Sequence, residues 1–194
     1  MQISVTLLLC TFCLCCTGLA NRFSAKLRLP AGRIAAGSLL LAAASVFDIP
    51  LASRLSVNVA SMLCVAIFFL LCRKQRGTSL AVPLAFLCGV LAWLAQRIVP
   101  GFPEPGLIVA MPAVLLSALF PLNARQRCLC LSLAPLFFGL TNALEEWYLF
   151  DVASFYLGSA AQLNMQIIGI FLLGILSSMA PDKMKKHFDM QKEY

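Results

Sequence analysis

The side chains best equipped for chemistry in this sequence are few. Glu145 and Glu146 are adjacent carboxylates followed by Trp147 and Tyr148, and Asn142 stands four positions before Glu146. Positions four apart share one face of a helix, so Asn142 lies with Glu146, and further on Gln162 lies with Gln166. Arg97 is the cation placed to neutralise one of the glutamates. Inside a bilayer such groups are costly unless they pair or face a water-filled cavity. Arg97, Asn142, Glu145, Glu146, Gln162 and Gln166 are therefore expected to do one of two things. They line a polar vestibule open to the outside, fit for a small solute, or they pair with one another between helices. Pairing is the simpler expectation, because carboxylates beside Trp and Tyr also mark an ordinary helix end at the headgroup level.

The run Leu144-Glu145-Glu146-Trp147 resembles the paired-glutamate signature of the CAAX-processing type of intramembrane protease. That family places Arg four residues after the second glutamate and carries His on later helices. The resemblance implies an intramembrane glutamate-type protease in which Glu145 and Glu146 work with those partners. In this chain the fourth position after Glu146 is Phe150, and the one His, His187, stands in the C-terminal tail. The resemblance covers two residues of a multi-part site, and the expectation is a protein without a catalytic site, not an enzyme.

Other chemistries fail for want of one residue type. A retinal pigment needs Lys within its last helix, and the first Lys after position 160 is Lys183. Membrane haem needs paired His in the bilayer. Metal-dependent intramembrane proteases need His-rich helical motifs. Proton-coupled carriers usually hold a carboxylate near the midplane, whereas every Asp and Glu here maps to a helix end, a loop or the tail. The nine cysteines include a C-x-x-C spacing at Cys13 and Cys16 and a C-x-C at Cys128 and Cys130. Without His, and on apolar runs, they are read as small buried packing residues, with Cys15 and Cys16 a weak lipidation pattern. No metal and no cofactor is expected.

The elements that must position these residues follow from composition. The chain has 194 residues, 61% of them hydrophobic and 12% charged, with a mean hydropathy of +0.90. A soluble domain is about 45–50% apolar and about 25% charged, so this is read as an integral membrane protein. A crossing needs about 20 apolar helical residues. Seven runs qualify, over 3–20, 31–49, 55–72, 79–95, 107–122, 128–144 and 156–179. They are continuous rather than alternating, which excludes a β-barrel. The expected fold class is all-α, a polytopic bundle of seven transmembrane helices over 1–180, with a short basic tail over 181–194. Residues 100–106, with three Pro and two Gly, are expected to form a turn outside the hydrocarbon.

Basic residues on short loops stay cytoplasmic. Numbered alternately, one set of loops and the tail holds thirteen of the fifteen Lys and Arg, leaving Arg54 and Arg97 on the other side. That arrangement puts the N-terminus outside and the C-terminus in the cytoplasm. No Lys or Arg precedes the first run, and a basic cluster follows at Arg22, Lys26, Arg28 and Arg33. This charge order is the reverse of a cleaved signal peptide. The net charge of +7 is then the mark of orientation and of attraction to anionic lipid, and no nucleic-acid partner is expected.

Two features speak to packing. The second run, with Gly32, Ala36, Gly37, Ala42, Ala43 and Ala44, lacks bulk. Small residues let helix backbones approach, so this helix is expected to be central or to form the seam to a partner subunit or a second copy. The third run carries bulk suited to lipid at Ile67, Phe68 and Phe69. Pro83, Pro112 and Pro135 each fall inside a helix and tend to kink it. The reading that remains is a small multi-pass protein of the plasma (inner) membrane, a membrane subunit or scaffold. A small-solute carrier or channel is the alternative.

Overall fold

A computed structural model describes residues 3–52, 55–73, 75, 78–98, 105–151 and 155–179. The tail over 181–194 and most of the 100–106 segment lie outside the described residues. Among those described, eight helices and three short strands follow in the order α1 (Ile3–Cys16), α2 (Asn21–Leu27), α3 (Ala31–Ala44), β1 (Asp48–Ala52), β2 (Leu55–Asn58), α4 (Val59–Cys72), α5 (Thr78–Ile98), α6 (Pro105–Leu119), α7 (Ala124–Phe150), β3 (Phe155–Leu157) and α8 (Ala160–Met179). The chain is mostly helical, and each expected run overlaps one of the longer helices. By length and composition α5 and α7 can each cross a bilayer, and α1 with α2 makes a third candidate if that bent pair is one span.

The first run is broken. Backbone bonds of Gly18, Ala20 and Asn21 to carbonyls three or six residues back turn the chain, and α2 leaves α1 at 97°. The second and third runs do not stay helical throughout either. Their facing ends leave α3 and α4 as antiparallel β1 and β2, and β2 pairs in parallel with β3. The purely all-α expectation is corrected by this three-stranded sheet. Val46, Ile49, Val57 and Pro50 disfavour helix, and a strand ladder satisfies the backbone groups that the broken helices leave open. The 100–106 turn is shortened as well, since Pro105 and Gly106 open α6. Proline suits a first helical position, where its missing N–H has no acceptor anyway.

Caps fix other boundaries. The Asn58 side chain accepts the Ser61 N–H at 3.2 Å to start α4. Asn123 and Gln126 form a reciprocal capping box at the start of α7, with bonds of 3.1 Å each way. The Asn123–Arg127 stretch, between two of the expected runs, is therefore mostly the first turn of a 27-residue helix. At about 1.5 Å per residue α7 is about 40 Å long, longer than a hydrocarbon core of about 30 Å.

α7 is the central element, touching α2, α4, α5, α6, α8 and β3. Its largest seam is with α5, through Ala81, Ala85, Cys88 and Ala92, all fully buried. At Gly89 a Cβ would stand 2.8 Å from Phe137 Cβ and 2.9 Å from the Ala134 carbonyl oxygen, so only glycine permits this approach. The largest seam is thus that of α5 with α7, and α3 makes the next, with α1. α3 lies at the periphery against α1, α4 and α2, and a Cβ on Gly32 or Gly37 would meet nothing within 4 Å. α4 meets the expectation only in part: Phe69 and Leu70 are exposed, but Ile67 and Phe68 are half-buried against the core that Ala60 and Cys64 help to form.

Candidate functional site

The six candidate residues separate into two groups. In the first, the end of α5 meets the last turns of α7. Arg97 forms an ion pair with Glu145 Oε1, and Trp93 Nε1 donates to Glu145 Oε2 at 2.9 Å. Trp93 and Arg97 stand four apart on α5, so they reach the carboxylate from one face, and each of its oxygens has a partner. Arg97 is 58% exposed and Glu145 19%. Glu146, one position on, is turned about 100° around the helix and is exposed beside Trp147 and Tyr148. Asn142 is half-buried. Adjacency in sequence does not bring the two carboxylates to one point: Glu145 faces α5 and Glu146 faces outward.

In the second group, α8 supplies Gln162 and Gln166 to the interior. Gln166 is completely buried. Its Oε1 accepts from Ser61 Oγ on α4 at 3.0 Å, and its Nε2 donates to the Ser132 carbonyl on α7 at 2.7 Å. The acceptor lies in the turn where Pro135 withholds a backbone donor from the carbonyl four residues before it. One amide therefore ties three helices. Gln162 Oε1 accepts from the Gly158 N–H ahead of α8, and its amide lies against α7 where Gly139 has no side chain. A Cβ there would fall 1.7 Å from Gln162 Nε2.

A third polar knot joins the sheet to the bundle. Buried Asn58 donates from Nδ2 to the Ser45 carbonyl at 3.1 Å and to Asp48 Oδ1 at 2.8 Å, while its Oδ1 caps α4. Asn164, absent from the expected set, accepts the Ser4 N–H from α1 at 2.9 Å. It stands halfway between Gln162 and Gln166 in sequence, and thus on the opposite face of α8. Trp93, Ser61, Asn58 and Asn164 are the residues that sequence reasoning missed. Asn58 had a legible signal, an Asn just ahead of an apolar run. The others are polar singletons whose partners lie far away in sequence.

Chemically the arrangement holds helices together. Glu145 is engaged at both oxygens, and no polar side chain joins the Arg97–Glu145 pair to Gln162 and Gln166 in the bonds found. Among the described residues, Ser4 Oγ is the one buried side-chain oxygen or nitrogen without a hydrogen-bond partner. All nine cysteines are free, with Cys64, Cys72, Cys88, Cys128 and Cys130 buried between helices. Among the described residues no group of three or more His, Cys, Asp or Glu could hold a metal ion. Compared with protein-family models, with curated proteins and with solved structures, the chain matches none.

Proposed function

We propose that this chain is a small, non-enzymatic subunit or scaffold of the plasma (inner) membrane. In this reading seven segments cross the bilayer, with the N-terminus outside and the C-terminus in the cytoplasm. The observation that carries it is that, Ser4 apart, the buried polar side chains among the described residues are held by bonds within the chain. Gln166 ties α4 to α7, Glu145 is held by Arg97 and Trp93, and Asn58 joins α4 to the sheet. A carrier or an intramembrane protease needs polar groups free to receive a solute or a water. A scaffold needs them spent, so that one bundle geometry is presented to a partner. The natural docking face is that of α3, where Gly32, Ala36, Leu40 and Ala43 are exposed along one side. Close helix approach through small residues favours a partner helix or a second copy there.

Tagging the C-terminus, solubilising gently and identifying what co-purifies in stoichiometric amount tests this proposal. A fixed partner is the expected result. A bare monomer would count against the subunit reading. The double change Glu145→Gln with Glu146→Gln separates the alternatives: the scaffold keeps its expression and phenotype, whereas a vestibule or protease loses function at normal expression.

A further inference from the structure

α1, α2, α3, α4 and α8 line an open-sided cavity of about 350 Å³, within the range of about 300–1,000 Å³ usual for ligand sites. Its walls are hydrocarbon, with Leu14, Phe23, Ile34, Phe68 and Ile170 among them. Two hydroxyls reach it, but their protons are spent on their own helices. Thr11 Oγ1 donates to the Leu7 carbonyl and Ser38 Oγ to the Ala35 carbonyl, each at 2.8 Å. The interior thus suits an alkyl chain rather than a sugar, nucleotide or amino acid.

The charged member of the wall is Arg33. Its side chain is exposed and has no ion pair or hydrogen bond among the described residues. It sits in the first turn of α3, which contains no acidic residue and whose N-cap, Pro30, offers no side-chain cap. A cation there opposes the helix dipole and leaves the first N–H groups without an anion. Both deficits end if an anionic group seats at this corner, and Gly32 leaves the space open. The bent α2 brings Arg22, Lys26 and Arg28 to the same end of the bundle, where Arg125 holds the Leu27 and Arg28 carbonyls at 2.6 and 3.1 Å. A short basic helix set nearly across the bundle axis, with Phe23 and Leu27 buried, is built for a lipid headgroup plane.

We propose that this cavity takes one acyl chain of an anionic phospholipid whose phosphate is held at Arg33 and the first turn of α3. The proposal rests on the membrane reading above. Lipid tails are as apolar as the cavity wall, so seating the chain gains little over leaving it in the bilayer. Discrimination must come from the headgroup, and a charge-assisted hydrogen bond is worth about tenfold or more in affinity.

The test uses the full chain in mild detergent, titrated with phosphatidylglycerol and with phosphatidylcholine of the same acyl chains, bound lipid being counted by native mass spectrometry. This reads lipid selectivity whatever the number of crossings, which topology mapping decides separately. The expected result is one phosphatidylglycerol per chain, preferred about tenfold. Arg33→Gln is expected to abolish that preference, and Arg28→Gln to leave it intact. Gly37→Leu lines the cavity at a position where a Cβ meets nothing within 4 Å, and it is expected to expel the lipid from a folded protein. Equal retention of the two lipids overturns the proposal. So does a preference indifferent to Arg33→Gln and Gly37→Leu, or displacement of the lipid by glycerol phosphate, which carries no chain.

Discussion

Glutamine 166 shows why a polar residue inside an apolar bundle is decisive. Its amide donates and accepts at once, and here each end meets a group on a different helix. Replacing it by Leu removes both bonds, leaving the Ser132 carbonyl and the Ser61 hydroxyl unpaired in a dry interior. Each unsatisfied buried group costs about 1–3 kcal/mol. Gln166→Leu is therefore expected to lower the unfolding midpoint in detergent clearly, with Ser61→Ala milder because it removes one donor only. A midpoint unchanged by Gln166→Leu would mean that water reaches the network. Glu145 shows a different principle. Its neighbour Glu146 is chemically identical, yet only Glu145 meets Arg97 and Trp93, since one step along a helix turns a side chain by about 100°.

Among the elements, α5 makes a larger seam than α3. α3 has more small residues, but α5 has them in register: Ala81, Ala85 and Gly89 repeat every four positions and bury one face against α7. Spacing governs approach, because only a continuous stripe lets two backbones meet. Gly89→Leu must push Phe137 and the α7 backbone aside, and overpacking of this kind costs about 1–3 kcal/mol or more. A lower unfolding midpoint or loss of folded protein is the expected readout. Gly32→Ala, on the open face of α3, is expected to hold or raise stability, since Ala is favoured over Gly in a helix by about 1 kcal/mol. If a partner helix docks on that face, Gly32→Leu will leave the isolated chain folded but strip the partner from it. Co-purification separates those two effects.

At the scale of the whole molecule, the basic residues of α2, the start of α3 and the start of α7 lie at the end opposite the sheet. Strands β1, β2 and β3 join the end of α3, the start of α4 and the start of α8. The basic residues of α2, α3 and α7 gather where α2 crosses the bundle. The orientation proposed here requires the sheet to face outside. Single cysteines introduced at Asp48 and Asp151, in a background cleared of the exposed Cys10, Cys13 and Cys16, are expected to react with a membrane-impermeant maleimide from outside intact cells. One at Arg125 is expected to react only after permeabilisation. The reverse pattern would invert the topology, and labelling of all three positions from one side would remove the seven-crossing reading.

The apolar runs, the internal prolines and the uneven spread of Lys and Arg are properties of the linear chain. They could be read directly, because continuous hydrophobicity, helix punctuation and loop charge act locally or through the solvent. The partners of Gln166, the separation of Glu145 from Glu146 and the seam of α5 against α7 arise only when helices distant in sequence are brought face to face. That strands begin at Asp48 and at Leu55 was hidden for the same reason. A strand is stable there because another strand lies beside it, and no local residue pattern contains that neighbour.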